Sequence, residues 1–222
     1  MTKISIIIPV LNGYEMTKNI IQNISDVFIH PYEIIIIDDF SNDRTKDRTA
    51  EFKNNENVRY FRNEEWLWVN KSWNKWISKA KGEYILVINN DIVIKPWFDT
   101  AMVECLEDSY IVWPYSTRLD KPFEWEVFIK QQNIIGWCWM TTKERRKEIG
   151  DIDESLCIWY WDDWIFQRVV KDLKQSPWIA NTLIHHYESK TLTNDEHKQK
   201  IRKEIEKDKV RWQEIIRERG WN

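Results

Sequence analysis

The chain has 222 residues, room for one large domain or one domain with an appendage. Hydrophobic residues make up 42%, enough for a sizeable core, and a net charge of -3 excludes the broad basic footprint of a general nucleic-acid or anionic-membrane binder. Cys105, Cys138 and Cys157 are odd in number and form no CxxC pair, which argues against a disulfide framework and against a zinc site.

No charged-then-apolar leader precedes KISIIIPV, and no apolar run approaches the ~20 residues of a membrane span, so the expectation is a cytoplasmic protein. In chain order, Lys3–Pro9 is a β-branched run suited to a strand buried on both faces of a parallel sheet. Asn12-Gly13 breaks it, and Tyr14–Ser25 follows as a helix with Met16, Ile20, Ile21 and Ile24 on one face. Tyr32–Ile37 is a second buried strand, ending in Asp38-Asp39. Ser41, Asn42 and Asp43 supply caps for a helix over Arg44–Lys53. Val58–Phe61 is a short strand, Lys71–Lys79 a helix closed by Gly82, and Glu83–Ile88 a fourth strand that stops at Asn89-Asn90-Asp91. Pro96 introduces a helix continuing over Trp97–Leu106, and Tyr110–Tyr115 is a strand. Phe123–Met140 mixes strands with extended loops, Lys143–Glu148 is a short helix ended by Gly150, Trp161–Leu173 a helix and Trp178–Ile184 a strand. From Asn194 to Arg219 the chain is charge-dense, with Ile201, Ile205, Trp212 and Ile216 at helical spacing. The pattern is α/β: a Rossmann-like, mainly parallel central sheet flanked by helices, with a C-terminal amphipathic helix.

In an open parallel sheet, ligands bind outside the carboxyl ends of the strands. Three of those ends are polar here: Pro9-Val10-Leu11-Asn12, Asp38-Asp39-Phe40-Ser41 and Asn89-Asn90-Asp91. Neither GxGxxG nor GxxxxGK[ST] is present, which argues against a dinucleotide Rossmann site and against a P-loop NTPase. Phosphate held without a P-loop needs other positive charge, and a carboxylate-bound Mg²⁺ or Mn²⁺ supplies it. Asp91 is the natural ligand for such a cation, while Asn89 and Asn90 offer hydrogen bonds rather than charge.

Six blocks in order resemble family 2 glycosyltransferases of the GT-A fold: ISIIIPVLNGYEMTKNIIQNI, EIIIIDDFSNDRT, NKSWNKWISKAKGEYILVINND, IIGWCWMTTKERRKEIGDIDESL, WYWDDWIFQRV and HHYESKT. The resemblance covers about residues 3–191. It implies a glycosyltransferase domain over 1–191, with 1–95 as the nucleotide-sugar half and 96–191 as the acceptor half, and a charged helical tail over 192–222. It also implies that Pro9, Val10, Asn12, Asp38 and Asp39 line the base pocket and that Asn89 and Asn90 approach the donor, Asn90 at the ribose. Asp91, helped by His186, would hold a divalent metal bridging the diphosphate of a nucleotide-diphospho-sugar such as a UDP-sugar. Trp73 and Trp76 stand where the family often has Arg and Gly, which leaves Lys71 as the cation for the diphosphate. Asp163 would be the catalytic base, with Asp162 the alternative because the spacing to Arg168 is one residue short. Gly136, Trp137 and Trp139 would lie on the side of a saccharide or other hydroxyl acceptor.

The reaction implied is an inverting single displacement. A carboxylate takes the proton of the acceptor hydroxyl, and a metal-neutralised nucleoside diphosphate leaves from the opposite face. Two rival readings stand beside it: a catalytically weak sugar- or nucleotide-binding module, favoured by the single carboxylate of Asn-Asn-Asp, and a viral-type enzyme glycosylating modified nucleic acid. The bland readings are caps and turns. Asp38-Asp39 would cap the next helix, and Asp162-Asp163 would be a first-turn acidic pair favoured by the helix dipole. The tail helix leaves peripheral membrane contact and self-association open.

Overall fold

The computed structural model describes residues 3–48, 51–52, 54–118, 136–187 and 195–221. One eight-stranded sheet, in the order β3-β2-β1-β4-β7-β6-β8-β5, runs through it. The strands are β1 (Ile4–Val10), β2 (Tyr32–Asp38), β3 (Val58–Arg62), β4 (Tyr84–Ile88), β5 (Ile92–Ile94), β6 (Ile111–Arg118), β7 (Cys138–Thr142) and β8 (Pro177–His186). The helices are α1 (Tyr14–Val27), α2 (Arg44–Asp47), α3 (Val69–Ile77), α4 (Phe98–Glu107), α5 (Lys143–Ile149), α6 (Trp161–Gln167) and α7 (Asp195–Arg219). β1 to β4 pair in parallel, as do β6 and β8, while β7 and β5 run antiparallel to their neighbours.

The runs of isoleucine are explained by helices on both faces. Along β1, Ile4, Ile6 and Ile8 face one layer and Ile7 the other, and β2 divides in the same way into Ile34 and Ile36 against Ile35 and Ile37. The first face packs on α1 through Ile20 and Ile24 and on α4 through Phe98 and Met102. The second packs on α3 through Trp73, α5 through Ile149, α6 through Trp164 and α7 through Trp212 and Ile215. Each fully buried isoleucine contributes about 1.5–3 kcal/mol relative to exposure. At the amino end of the sheet, Gly82 is required. A Cβ there would come within 2.7 Å of the Ser5 backbone nitrogen, and the Gly82 N–H donates to Ser5 Oγ, which donates in turn to Glu33.

Several expected boundaries shift. α2 spans Arg44–Asp47; the expected reach to Lys53 runs into positions outside the described residues. α3 begins two residues earlier than expected, at Val69. The helix expected over Trp161–Leu173 changes character, because a π-helical turn, Arg168–Asp172, follows α6. There the Arg168 guanidinium pairs with Asp172, four residues on, at 2.6 Å, and Trp221 Nε1 donates to the same carboxylate at 2.7 Å, a contact that local periodicity does not encode. β5 was not expected, since three residues are too few for a period-2 signal; its pairing with β8 makes it a strand. Most of Phe123–Met140 lies outside the described residues, and its described end forms β7. None of the described helices is long and apolar enough to cross a membrane.

Candidate active site

The parallel register of β1, β2 and β3 brings Val10, Asp38 and Arg62 side by side at the carboxyl edge. There Asn12 takes a left-handed backbone (φ 66°) that Asn tolerates better than most residues. Its N–H donates to Ser41 Oγ at 2.8 Å, and its Oδ1 accepts from the N–H groups of Asn42 and Asp43. Asp43 accepts from the Gly13 N–H at 2.9 Å and caps α2 through Thr45. The loops after β1 and β2 are thus tied into one floor. Asp38 is fully buried and fully engaged: it accepts from the Ser41 N–H at 2.7 Å, from Arg62 at 2.6 Å and from the Tyr60 hydroxyl. Burial and that carboxylate push the Tyr60 phenol well above its ordinary range.

Asp39 faces the other way, toward the entry to α3. Its Oδ1 accepts from Asn63 Nδ2 and from the Leu67 N–H, both at 2.9 Å, and burial raises its pKa. The segment it holds leads to Trp68, another residue with positive φ, whose ring contacts Trp66 at a centroid distance of 4.2 Å. Lys200 of α7 lies over Trp66 at 4.1 Å, so the C-terminal helix borders this part of the edge.

The end of β4 is built differently. Asp91 is 5% exposed, yet its Oδ1 has no hydrogen-bond partner. The antiparallel pairing of Ile92 with His186, continued by the Tyr187 N–H bond to the Asp91 carbonyl, brings the imidazole beside it. His186 Nε2 stands 3.3 Å from Asp91 Oδ1, close but not aligned as a hydrogen bond. A cleft of about 300 Å³, lined in part by Met16, Asn19, Asn90, Asp91 and Tyr187, opens next to the carboxylate.

From His186 a continuous line of contacts leads to the acidic pair. The imidazole stacks on Trp137 with centroids 4.5 Å apart and planes at 9°. The Trp137 carbonyl accepts from the Asn89 N–H, and its indole donates to Ser116 Oγ. The preceding Gly136 lies against α6, where a Cβ would come within 2.8 Å of Trp161 and 3.0 Å of Asp162 Oδ2. Only a residue without a side chain lets the segment leading into β7 approach the acid so closely. Asp162 has its pKa raised to about 6, by burial first and then by the neighbouring Asp163 charge. Asp163 is less enclosed, and burial raises its pKa too.

Asp91, His186, Trp137, Gly136 and Asp162 therefore form one connected set. The other expected residues stand differently. Asn90 is buried and donates through Nδ2 to Thr17 Oγ1 on α1, so its amide is occupied within the fold. Trp139, expected on the acceptor side, is fully buried and packs edge-on against Trp73, because its place in β7 points it into the core. Val10 is buried, Pro9 partly so, and Lys71 is exposed on α3. Sequence reasoning missed Phe40. It is exposed, at φ 70°, with Arg62 over its ring at 5.1 Å, and it directly follows Asp38-Asp39. The available signal was an aromatic in a loop position between two polar clusters.

The family model described as "Glycosyl transferase family 2" matches residues 5–160. Among solved structures, GalNAc-T7 with UDP, GalNAc and Mn²⁺ superposes with a TM-score of 0.70 at 16% identity, covering 84% of this chain and 44% of that one. The mannosyltransferase PcManGT from Pyrobaculum calidifontis, in complex with GDP-Man and Mn²⁺, gives 0.70 at 13% identity over 85% and 57% of the two chains. S. aureus TarS, residues 1–349, gives 0.65 at 14% identity over 84% and 60%. The chain thus spans about half the length of these structures, and the likeness is one of fold. No curated protein matches the chain in sequence.

Proposed function

The chain belongs to glycosyl transferase family 2, and from that membership we propose that it moves a sugar, with inversion, from a nucleotide-diphospho-sugar to an acceptor hydroxyl. The observation that carries this reading is Asp91: a buried carboxylate oxygen without a partner, beside His186, at the carboxyl edge of the sheet. Burying an unsatisfied carboxylate is costly, and a cation relieves the cost. Among the described residues no group of three acidic, His or Cys side chains could hold a metal by itself. A divalent ion that keeps several ligand positions for water and substrate phosphates needs only one or two protein donors, so the pair fits Mg²⁺ or Mn²⁺. Asp91 and His186 would hold it. When bound, it supplies positive charge to the leaving diphosphate. That GalNAc-T7 and PcManGT were solved with nucleotide or nucleotide-sugar and Mn²⁺ supports the same assignment.

The remaining work falls to this chain's own side chains. A carboxylate of the Asp162-Asp163 pair accepts the acceptor's proton as its oxygen bonds to the anomeric carbon and the bond to the diphosphate breaks. Asp163 was the expected base. The surroundings of Asp162, enclosed beside Gly136 and with a pKa near 6, favour Asp162, because a base works best when its pKa lies near the working pH. The tied loops of Asn12 and Ser41–Asp43 form the floor for the nucleotide, with Asp39 and Phe40 at its rim. Trp137 holds the His186 ring by stacking and faces the acceptor side through Gly136.

The test is a thermal-shift and turnover screen of UDP-, GDP- and dTDP-sugars with and without Mn²⁺. Metal-dependent stabilisation by one donor, with slow hydrolysis or transfer, is the expected result. Stabilisation without any turnover would leave a binding module, and no response to any donor would overturn both readings.

A further inference from the structure

We propose that Asp208, on the C-terminal helix and outside the stretch matched by the family model, is a positioning residue that sets the acidic pair of α6 in place. Asp208 is 1% exposed. Its Oδ1 accepts from the Cys157 N–H at 2.8 Å, and its Oδ2 accepts from the N–H groups of Ile158 at 2.7 Å and Trp159 at 2.9 Å. One carboxylate thus gathers three consecutive backbone donors of the loop that ends where α6 begins. Charge-assisted bonds of this kind are shorter and stronger than neutral ones, and they fix the curvature of the backbone they hold.

The next residue is the hinge of the arrangement. Tyr160 has φ 63° and ψ 3°, a left-handed conformation unfavourable for an aromatic residue, and no side chain caps the helix it opens. Its carbonyl accepts the Trp164 N–H at 2.7 Å, the first bond of the turn that carries Asp162 and Asp163. The surroundings hold Tyr160 in this state. Its ring stacks on Trp212 at 5.9 Å and 13°, and Trp212 lies four residues beyond Asp208, on the same face of α7. Strained backbone of this kind persists only where neighbouring contacts over-determine it, and it concentrates at working sites. Asp208 grips the loop before the hinge and Trp212 grips the hinge itself, so α7 sets the angle at which α6 presents its carboxylates to Gly136. Burial, and after it the adjacent Asp208 charge, raise the Cys157 thiol to about 11.

This inference rests on the glycosyl-transfer reading, and the experiment separates the two. Asp208→Asn in the full chain keeps the shape of the carboxylate and removes its charge and part of its accepting capacity. On the donor that the wild type turns over in the screen, kcat is expected to fall at least tenfold while the donor KM stays within twofold. Hydrogen exchange should accelerate in the segment 157–163 and not in β1 or β2. Ile215→Ala, a buried apolar position on the same helix that offers the loop no hydrogen-bond acceptor, is the control: it lowers Tm while kcat stays within twofold. A kcat for Asp208→Asn within twofold of wild type, or a fall in kcat that Ile215→Ala reproduces at equal Tm, overturns the positioning role. If the wild type turns over no donor, the glycosyl-transfer reading fails and the catalytic meaning of the anchor fails with it. Exchange then decides the anchor alone: unchanged protection of 157–163 in Asp208→Asn overturns that as well.

Discussion

The carboxyl ends of β2 and β4 each bury an aspartate, and the two are served in opposite ways. Asp38 receives a backbone N–H, an arginine and a tyrosine hydroxyl, so its charge is consumed in joining β3 and the following loop to β2. Asp91, also buried, has an oxygen that receives no hydrogen bond and a histidine nearby that is not aligned to donate one. A buried acid that is fully partnered stabilises the fold, whereas one left short of partners costs stability and is poised for a ligand. The same contrast recurs around α6, between Asp208 with its three N–H donors and Asp162 with its raised pKa.

The contrast is broken most directly at Asp91. Asp91→Asn is expected to lower Mn²⁺-dependent turnover by about a thousandfold, the scale of losing a major electrostatic contribution to leaving-group stabilisation, with no loss of Tm. A large fall in Tm with donor binding intact would place Asp91 with Asp38 as a structural acid.

Next in size is the acidic pair. Asp162→Asn should lower kcat by about 10²–10⁴-fold, the usual contribution of a positioned base, and leave donor binding intact. Equal activity in that variant together with loss in Asp163→Asn would move the base to Asp163. For the wild type, kcat should fall as pH drops through about 6, because only the ionised carboxylate accepts a proton. The stability sign is the reverse. The folded pKa lies above the unfolded value near ~3.9, so the folded state holds more protons and this group's contribution to stability falls as pH rises from about 4 to about 6. Asp162→Asn should therefore melt higher than wild type at pH 7.5, as differential scanning calorimetry would measure.

Asp38→Ala sharpens the comparison from the other side. Loss of a buried carboxylate that pairs Arg62 and Tyr60 is expected to cost about 3 kcal/mol in urea unfolding. Metal affinity measured by titration should stay within a fewfold of wild type. The smallest effect belongs to Thr17→Val, which removes the acceptor of the Asn90 amide. A cost of about 1 kcal/mol with unchanged donor KM is expected, and a large rise in donor KM would return Asn90 to the ribose.

Much of the scaffold was legible in the sequence. The isoleucine runs of β1 and β2, the amphipathic spacing of α1 and the charged periodicity of α7 are local signals, and they appear close to where they were expected. The polar ends of β1, β2 and β4 also pointed to the edge that the fold does assemble. What local pattern could not separate was the use of each polar residue. Asn90 and Asp91 are neighbours of similar size, yet one is bonded to a helix and the other is left with an unpartnered oxygen. Trp137 and Trp139 share a strand pattern, yet one stacks on His186 and the other disappears into the core. The difference lies in partners 29 to 95 positions away, as with Ser41 for Asn12 and His186 for Asp91.

By itself, then, the sequence determined the layering of the molecule and the edge at which its polar residues gather, because burial periodicity and strand termini are written within a few residues of one another. Only the tertiary structure decided which acids are spent on holding the fold and which are left short of partners. It also brought α7 against the loop that opens α6, where Asp208 accepts three consecutive N–H groups. Whether a buried carboxylate is satisfied depends on donors brought by distant elements, and those donors meet it only when the sheet has closed its order and the helices have packed against it.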